Sequence, residues 1–220
     1  MLIEEILSKC DHTLLRPDAT WYEIKNLIDE GIKYKVASIC LPPAYVRRAS
    51  KYASGEIPVT TVIGFPHGNE TTETKIYQAK NALNDGADEI DMVINIGELK
   101  SGNTDYVLRE IEEVREVTKG NILKVIVETS MLSKDEKVTV SRLVSKSGAD
   151  YIKTSTGFNG GGATIDDVLL IKENIGSDLK IKASGGISSL EEASELIESG
   201  ASRLGTSRIV KIAKDLYGED

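Results

Sequence analysis

The 220-residue chain is 40% hydrophobic and 28% charged, with a formal net charge of −8, the balance of a soluble globular protein. That acidic excess leaves no basic surface to neutralise a nucleic-acid backbone, although a small phosphate ester needs only a local site. Two cysteines, Cys10 and Cys40, and two histidines argue against a disulfide framework and a His-rich metal site. No apolar run reaches membrane-spanning length, and residues 1–7 are acidic and amphipathic rather than signal-like, so a cytoplasmic protein without a membrane partner is expected.

A repeat runs through the chain. Asp85-Gly86-Ala87-Asp88, Ser147-Gly148-Ala149-Asp150 and Ser199-Gly200-Ala201-Ser202 are near copies, and Glu30-Gly31 is a weaker one. Each follows a helical pattern and precedes a short β-rich run, as expected of an αβ connection. In chain order, residues 2–9 predict a short helix and 11–15 a first strand. A helix over 20–30 opens with Thr20 as N-cap and Glu23 three residues on, a capping box. A second strand (36–40) leads through Pro42-Pro43 into a helix over 43–53, and a third strand (59–64) ends in the loop 65–68. A helix over 72–84, a strand over 89–95, a helix over 104–118 and a strand over 122–128 follow. A helix over 134–147 precedes the sixth strand, which starts at Tyr151. Helices over 164–174, 189–199 and 207–216 then alternate with strands over 180–184 and 203–206. Eight strands alternating with helices, with no linker between them, predict one α/β domain over 1–220, a (β/α)₈ TIM barrel with a short N-terminal helix.

Side chains alternate between the two faces of a strand. With Ile152, Ile181, Ile90 and Met92 facing the helices, Lys153, Lys182 and Asp91 point into the barrel. Lys153 and Lys182 fall on neighbouring strands, roughly 5 Å apart at the backbone. Buried ammonium groups are costly unless they are paired or discharged. Desolvation and a second ammonium both lower the proton affinity of a lysine, which turns it into a nucleophile toward carbonyls. Asp91 can then exchange protons beside the resulting imine. A structural ion-pair network is the plain alternative.

The loops after the last two strands of such a barrel commonly hold a phosphate. Here they supply Gly185 and Gly186, and then Gly205 and Ser207 at a helix start, with Gly157 ending the sixth strand beside them. His12 and Glu128 are read as hydrogen-bonded structural groups, Cys40 as a small buried thiol, and Glu110, Glu112 and Glu113 as a solvated helix face.

Lys153-Thr154-Ser155-Thr156-Gly157-Phe158, with Lys182-Ala183-Ser184-Gly185-Gly186-Ile187 and Glu89-Ile90-Asp91-Met92-Val93, resembles the deoxyribose-phosphate aldolase family, and the similarity spans nearly the whole chain. The resemblance implies a class I aldolase that reversibly cleaves 2-deoxy-D-ribose 5-phosphate to acetaldehyde and D-glyceraldehyde 3-phosphate, with no metal and no organic cofactor. It implies that Lys153 forms the Schiff base, that Lys182 depresses its proton affinity and that Asp91 relays protons. Asp11, Cys40 and Thr154 become supporting groups near the substrate. A homo-oligomer is also implied. Some longer relatives end in a tyrosine that assists proton transfer, and the nearest candidate here is Tyr217. The rival readings are a phosphosugar isomerase and a barrel that only binds a sugar phosphate.

Overall fold

The computed structural model describes residues 1–218. Eight parallel strands, β1 (Cys10–Thr13), β2 (Ser38–Leu41), β3 (Val59–Ile63), β4 (Glu89–Val93), β5 (Ile122–Ile126), β6 (Tyr151–Lys153), β7 (Lys180–Ser184) and β8 (Arg203–Thr206), close into a barrel in sequence order. Outside it lie α1 (Ile3–Leu7), α2 (Trp21–Lys33), α3 (Val46–Ala53), α4 (Thr72–Asn84), α5 (Ile96–Lys100), α6 (Thr104–Val117), α7 (Lys134–Lys146), α8 (Ile165–Lys172), α9 (Leu190–Ser199) and α10 (Ile209–Tyr217). The (β/α)₈ barrel expected from the sequence is the fold of this chain. Among the described residues, no helix is long and apolar enough to cross a membrane.

The helix starts follow from local chemistry. The side chains of Thr20, Thr71, Ser133, Thr164 and Ser189 each accept the backbone N–H three residues on. Each such cap contributes about 1 kcal/mol. The repeated turns end helices with Gly86, Gly148 and Gly200 at positive φ, where a side chain would be strained. Gly31 departs from the expected turn. It lies inside α2, which runs on to Lys33, and a Cβ there would meet Ile57 Cδ1 at 2.7 Å and Ile39 Cγ2 at 2.8 Å. The chain reverses instead at Lys35, whose φ is 52°. Between β4 and α6 the chain adds a short helix, α5, which contains Gly97 and is capped by Asn95.

The apolar layer lies between barrel and helices, where Ile39, Ile90, Met92, Val125, Ile152 and Ile181 are buried together with Ile24, Ile28, Ile111, Val144 and Val168. The barrel interior is different. Interiors of this fold are usually filled by branched apolar side chains. In this chain, ladder register places Asp91 beside Lys124, Lys153 beside Lys182, Lys182 beside Arg203, and Asp11 beside Ser38. The interior is an ionic cluster.

One expected surface group is buried. Glu110 on α6 is 1% exposed, and it accepts a hydrogen bond from Lys75 Nζ of α4 at 2.6 Å and another from the Asn95 backbone N–H at 3.0 Å. Its spacing from Val107 and Val114 puts it on the apolar stripe, and the Lys75 ammonium makes that burial tolerable. Glu112 and Glu113 are exposed as expected.

Candidate active site

Strand parity sends Lys153, Lys182 and Asp91 inward together. Asp91 Oδ2 accepts from Lys153 Nζ and from Lys182 Nζ, each at 2.8 Å, while Oδ1 accepts from Lys124 Nζ at 2.9 Å. Lys182 also donates to Asp11 Oδ2, and Arg203 donates to Asp11 Oδ1 at 2.6 Å. Lys124 pairs further with Glu89, whose carboxylate also faces Arg203 at 3.4 Å. Ser38 donates to Asp11 Oδ1 at 2.8 Å, and Thr60 donates to Glu89. Lys124, Lys182, Asp11 and Asp91 are fully buried.

Burial acts on both lysines, yet they titrate in opposite directions. Desolvation lowers the proton affinity of Lys153; Asp91 opposes the fall and the Lys182 charge adds to it. For Lys182, two carboxylates, Asp11 and Asp91, overcome desolvation and raise its pKa. Asp91 is held well below the ordinary carboxylate range: its own desolvation pushes upward, and the ammonium groups of Lys124, Lys153 and Lys182 outweigh it. The arrangement is therefore one amine whose proton is loosened, one ammonium whose proton is held more tightly and one carboxylate between them. Burial pushes the Cys40 thiol up to about 11, so it is a packed, protonated group.

Lys153 is also the member of this cluster that lines a cleft. A cleft of about 330 Å³ at the ends of the strands is lined by Lys153, Thr156, Gly157, Gly185, Gly186, Gly205 and Ser207. Among the described residues, the backbone N–H groups of Gly157, Gly185, Gly186 and Ser207 donate to no other backbone group. A cradle of free N–H donors beside the N-terminus of α10 suits an anion. Gly185 is closely enclosed: a Cβ would meet Gly162 Cα at 3.1 Å and Gly161 O at 3.2 Å, at a φ of +83°. Gly205 makes room in another direction, since a Cβ there would meet Ser184 Cβ at 2.8 Å and Lys182 Cε at 3.1 Å.

Asp11, Asp91, Lys182, Cys40 and Thr154 lie beneath the cleft rather than on its wall. Thr154 ties β6 to β7, donating to Ser184 O at 3.2 Å and accepting from Ser184 N at 3.0 Å. His12 bonds Glu30 at 2.9 Å as a structural group. Glu128 is buried under the loop after β6. It accepts from Thr156 Oγ1 at 2.5 Å and from Asn159 Nδ2 at 2.8 Å. Five charged groups were not singled out from the sequence: Lys124, Glu89 and Arg203 in the cluster, and Arg208 and Arg16 on the cleft wall, the latter tied to Asp18 and Glu23. Tyr217 is not on the cleft wall; its hydroxyl donates to Glu4 Oε1 at 2.7 Å and its ring stacks on Tyr34.

A barrel that presents one buried lysine of lowered proton affinity at the foot of an anion cradle has the layout of the amine-using carbonyl enzymes. Residues 6–207 match the family described as DeoC/LacD family aldolase, and the chain belongs to that family. It is 49% identical over 213 residues to a deoxyribose-phosphate aldolase of Clostridioides difficile (strain 630), covering 97% of each chain. Among solved structures, a putative deoxyribose-phosphate aldolase from Coccidioides immitis superposes with a TM-score of 0.94 at 42% identity, covering 99% of this chain and 87% of that one. The tetrameric deoxyribose phosphate aldolase of Aeropyrum pernix gives a TM-score of 0.91 at 31% identity, covering 98% and 92%.

Proposed function

We propose that the chain is a class I aldolase that reversibly cleaves 2-deoxy-D-ribose 5-phosphate to acetaldehyde and D-glyceraldehyde 3-phosphate through a Schiff base on Lys153. The observation that carries this reading is that Lys153 opens onto the cleft while the other basic groups of the cluster stay held by carboxylates. The full-length similarity to deoxyribose-phosphate aldolases supports the choice of substrate.

In this scheme the neutral Lys153 amine adds to the C1 carbonyl of the open-chain sugar and water leaves, giving an iminium ion. Loss of the C3 hydroxyl proton breaks the C2–C3 bond. Its electron pair flows into the iminium, releasing glyceraldehyde 3-phosphate and leaving the enamine of acetaldehyde. Protonation of that enamine carbon and hydrolysis free the lysine. Asp91 and the Lys182 ammonium share an oxygen–hydrogen contact next to the reacting nitrogen, and they supply and remove these protons. The phosphate rests on the N–H groups of Gly157, Gly185, Gly186 and Ser207. Asp11 and Thr154 hold the cluster and the strands around it, and Cys40 packs beside them. A homo-oligomer is the proposed assembly, in line with the tetrameric relative.

Borohydride reduction in the presence of acetaldehyde tests the scheme. An ethyl group is expected on the peptide that carries Lys153. Folded protein that stays unlabelled, or carries the label only elsewhere, overturns it.

A further inference from the structure

The cluster beneath Lys153 holds more cations than anions. Lys124, Lys153, Lys182 and Arg203 face Asp11, Glu89 and Asp91, so full ionisation leaves one positive charge in excess. Glu128, the buried carboxylate past the end of β5, is taken up by Thr156 and Asn159, and the other groups beside the cluster carry no charge to offset the excess. Ser38 and Cys40 come from β2, Thr60 from β3 and Tyr151 from β6, the last lying 5.5 Å from the Arg203 guanidinium. Lys180, over the same ring, is exposed. The other charged residues on the cleft wall are Arg16 and Arg208, again cationic.

An uncompensated charge in a buried site is expensive, and loss of one proton removes it. Geometry selects the amine that gives it up. Arg203 cannot deprotonate. Lys124 touches Glu89 and Asp91, with Asp11 at 3.6 Å, and Lys182 bridges Asp11 and Asp91. Lys153 has a single carboxylate oxygen, which it shares with Lys182.

We propose that the charge balance of this buried cluster keeps Lys153 in its free-base form, with Lys124 and Glu89 acting as positioning residues that set the balance without touching the substrate. Both lie off the cleft wall, Lys124 fully buried and Glu89 3% exposed. They act through Asp91, whose two oxygens are divided between Lys124 on one side and Lys153 with Lys182 on the other. The inference rests on Lys153 being the Schiff-base amine.

The test is the pH dependence of Lys153 ethylation by acetaldehyde and cyanoborohydride, followed by peptide mass analysis on the full chain. Lys124→Met removes a cation and should move the labelling midpoint to higher pH by on the order of one unit. Glu89→Gln removes an anion and should move it down by a similar amount. The double variant restores the balance and should return the midpoint to that of the unmodified protein. A purely structural role would not produce opposite signs that cancel. Midpoints that stay fixed, single variants that move the same way, or a double variant that fails to return overturn the inference. Should Lys124→Met fail to fold, Glu89→Gln and the double variant decide by the same signs. Lys153 that never labels in the unmodified protein overturns the Schiff-base reading, and this inference with it. Labelling whose midpoint ignores both substitutions overturns this inference alone.

Discussion

Lys153 and Lys182 donate to the same oxygen of Asp91, each over 2.8 Å, yet burial lowers the proton affinity of one while two carboxylates raise that of the other. Lys182→Met removes the nearer ammonium. Lys153 then binds its proton more tightly, so its free-base fraction at neutral pH falls and the acid limb of kcat/KM moves to higher pH. The alkaline plateau should also drop by about 10²-fold, because Lys182 no longer serves proton transfer. A pH–rate profile that falls evenly at every pH, with the limb unmoved, would remove Lys182 from the control of Lys153.

Much of this site was legible because strand alternation is rigid: once Ile152 and Ile181 face the helices, Lys153 and Lys182 have only the interior. The same parity applied to Ile122–Ile126 finds Lys124, since Leu123 and Val125 are the apolar neighbours that face out. Lys124 escaped notice because no motif surrounds it. Glu89 and Arg203 start their strands beside turns, where polar residues are ordinary, and only closure of the barrel brings them to one carboxylate–guanidinium contact. Glu110 was misread for a different reason. Its charge outweighed its helical spacing, and its partner Lys75 sits 35 residues earlier on another helix.

That buried pair has a measurable consequence. Lys75 and Glu110 are both 0% exposed at the side chain, and Lys75 Nζ also donates to Gly68 O at 2.7 Å. Glu110→Ala strands the ammonium and should destabilise the protein by about 3–5 kcal/mol. For a chain of this size that lowers Tm by roughly 6–20 °C in calorimetry. Lys75→Met combined with Glu110→Leu removes both charges and should recover at least half of the loss. A double variant as unstable as Glu110→Ala would mean that the pair contributes through something other than mutual compensation.

Tyr217 is anchored away from the chemistry, its hydroxyl on Glu4 and its ring 6.3 Å from that of Tyr34 in a parallel stack. Tyr217→Phe keeps the ring stack and removes the hydroxyl that bonds Glu4. Water replaces that exposed bond, so Tm should stay essentially unchanged and kcat should stay within about twofold. A tenfold or larger drop in kcat at unchanged Tm would give the phenol a catalytic part that its present contacts do not.

Gly205 offers the narrowest probe of how Lys182 is held. Its φ is not in the left-handed region, so Gly205→Ala brings no backbone strain, only a methyl group aimed at Ser184 Cβ and Lys182 Cε. Ser184 is fixed by its bonds to Thr154 and to Ser155 O, the latter at 2.5 Å, which leaves the Lys182 stem as the part that moves. Displacing that stem lengthens the contacts from Lys182 Nζ to Asp91 and Asp11. The expected result is a drop in kcat of about tenfold or more, with an overpacking cost near 1–3 kcal/mol. Because the ammonium moves away from Lys153, the acid limb of the pH–rate profile should shift upward, in the same direction as for Lys182→Met but by less. Gly205 also lines the cleft, so a rise in KM for the phosphorylated substrate with kcat and the limb unchanged would show that the methyl acts on the anion cradle instead.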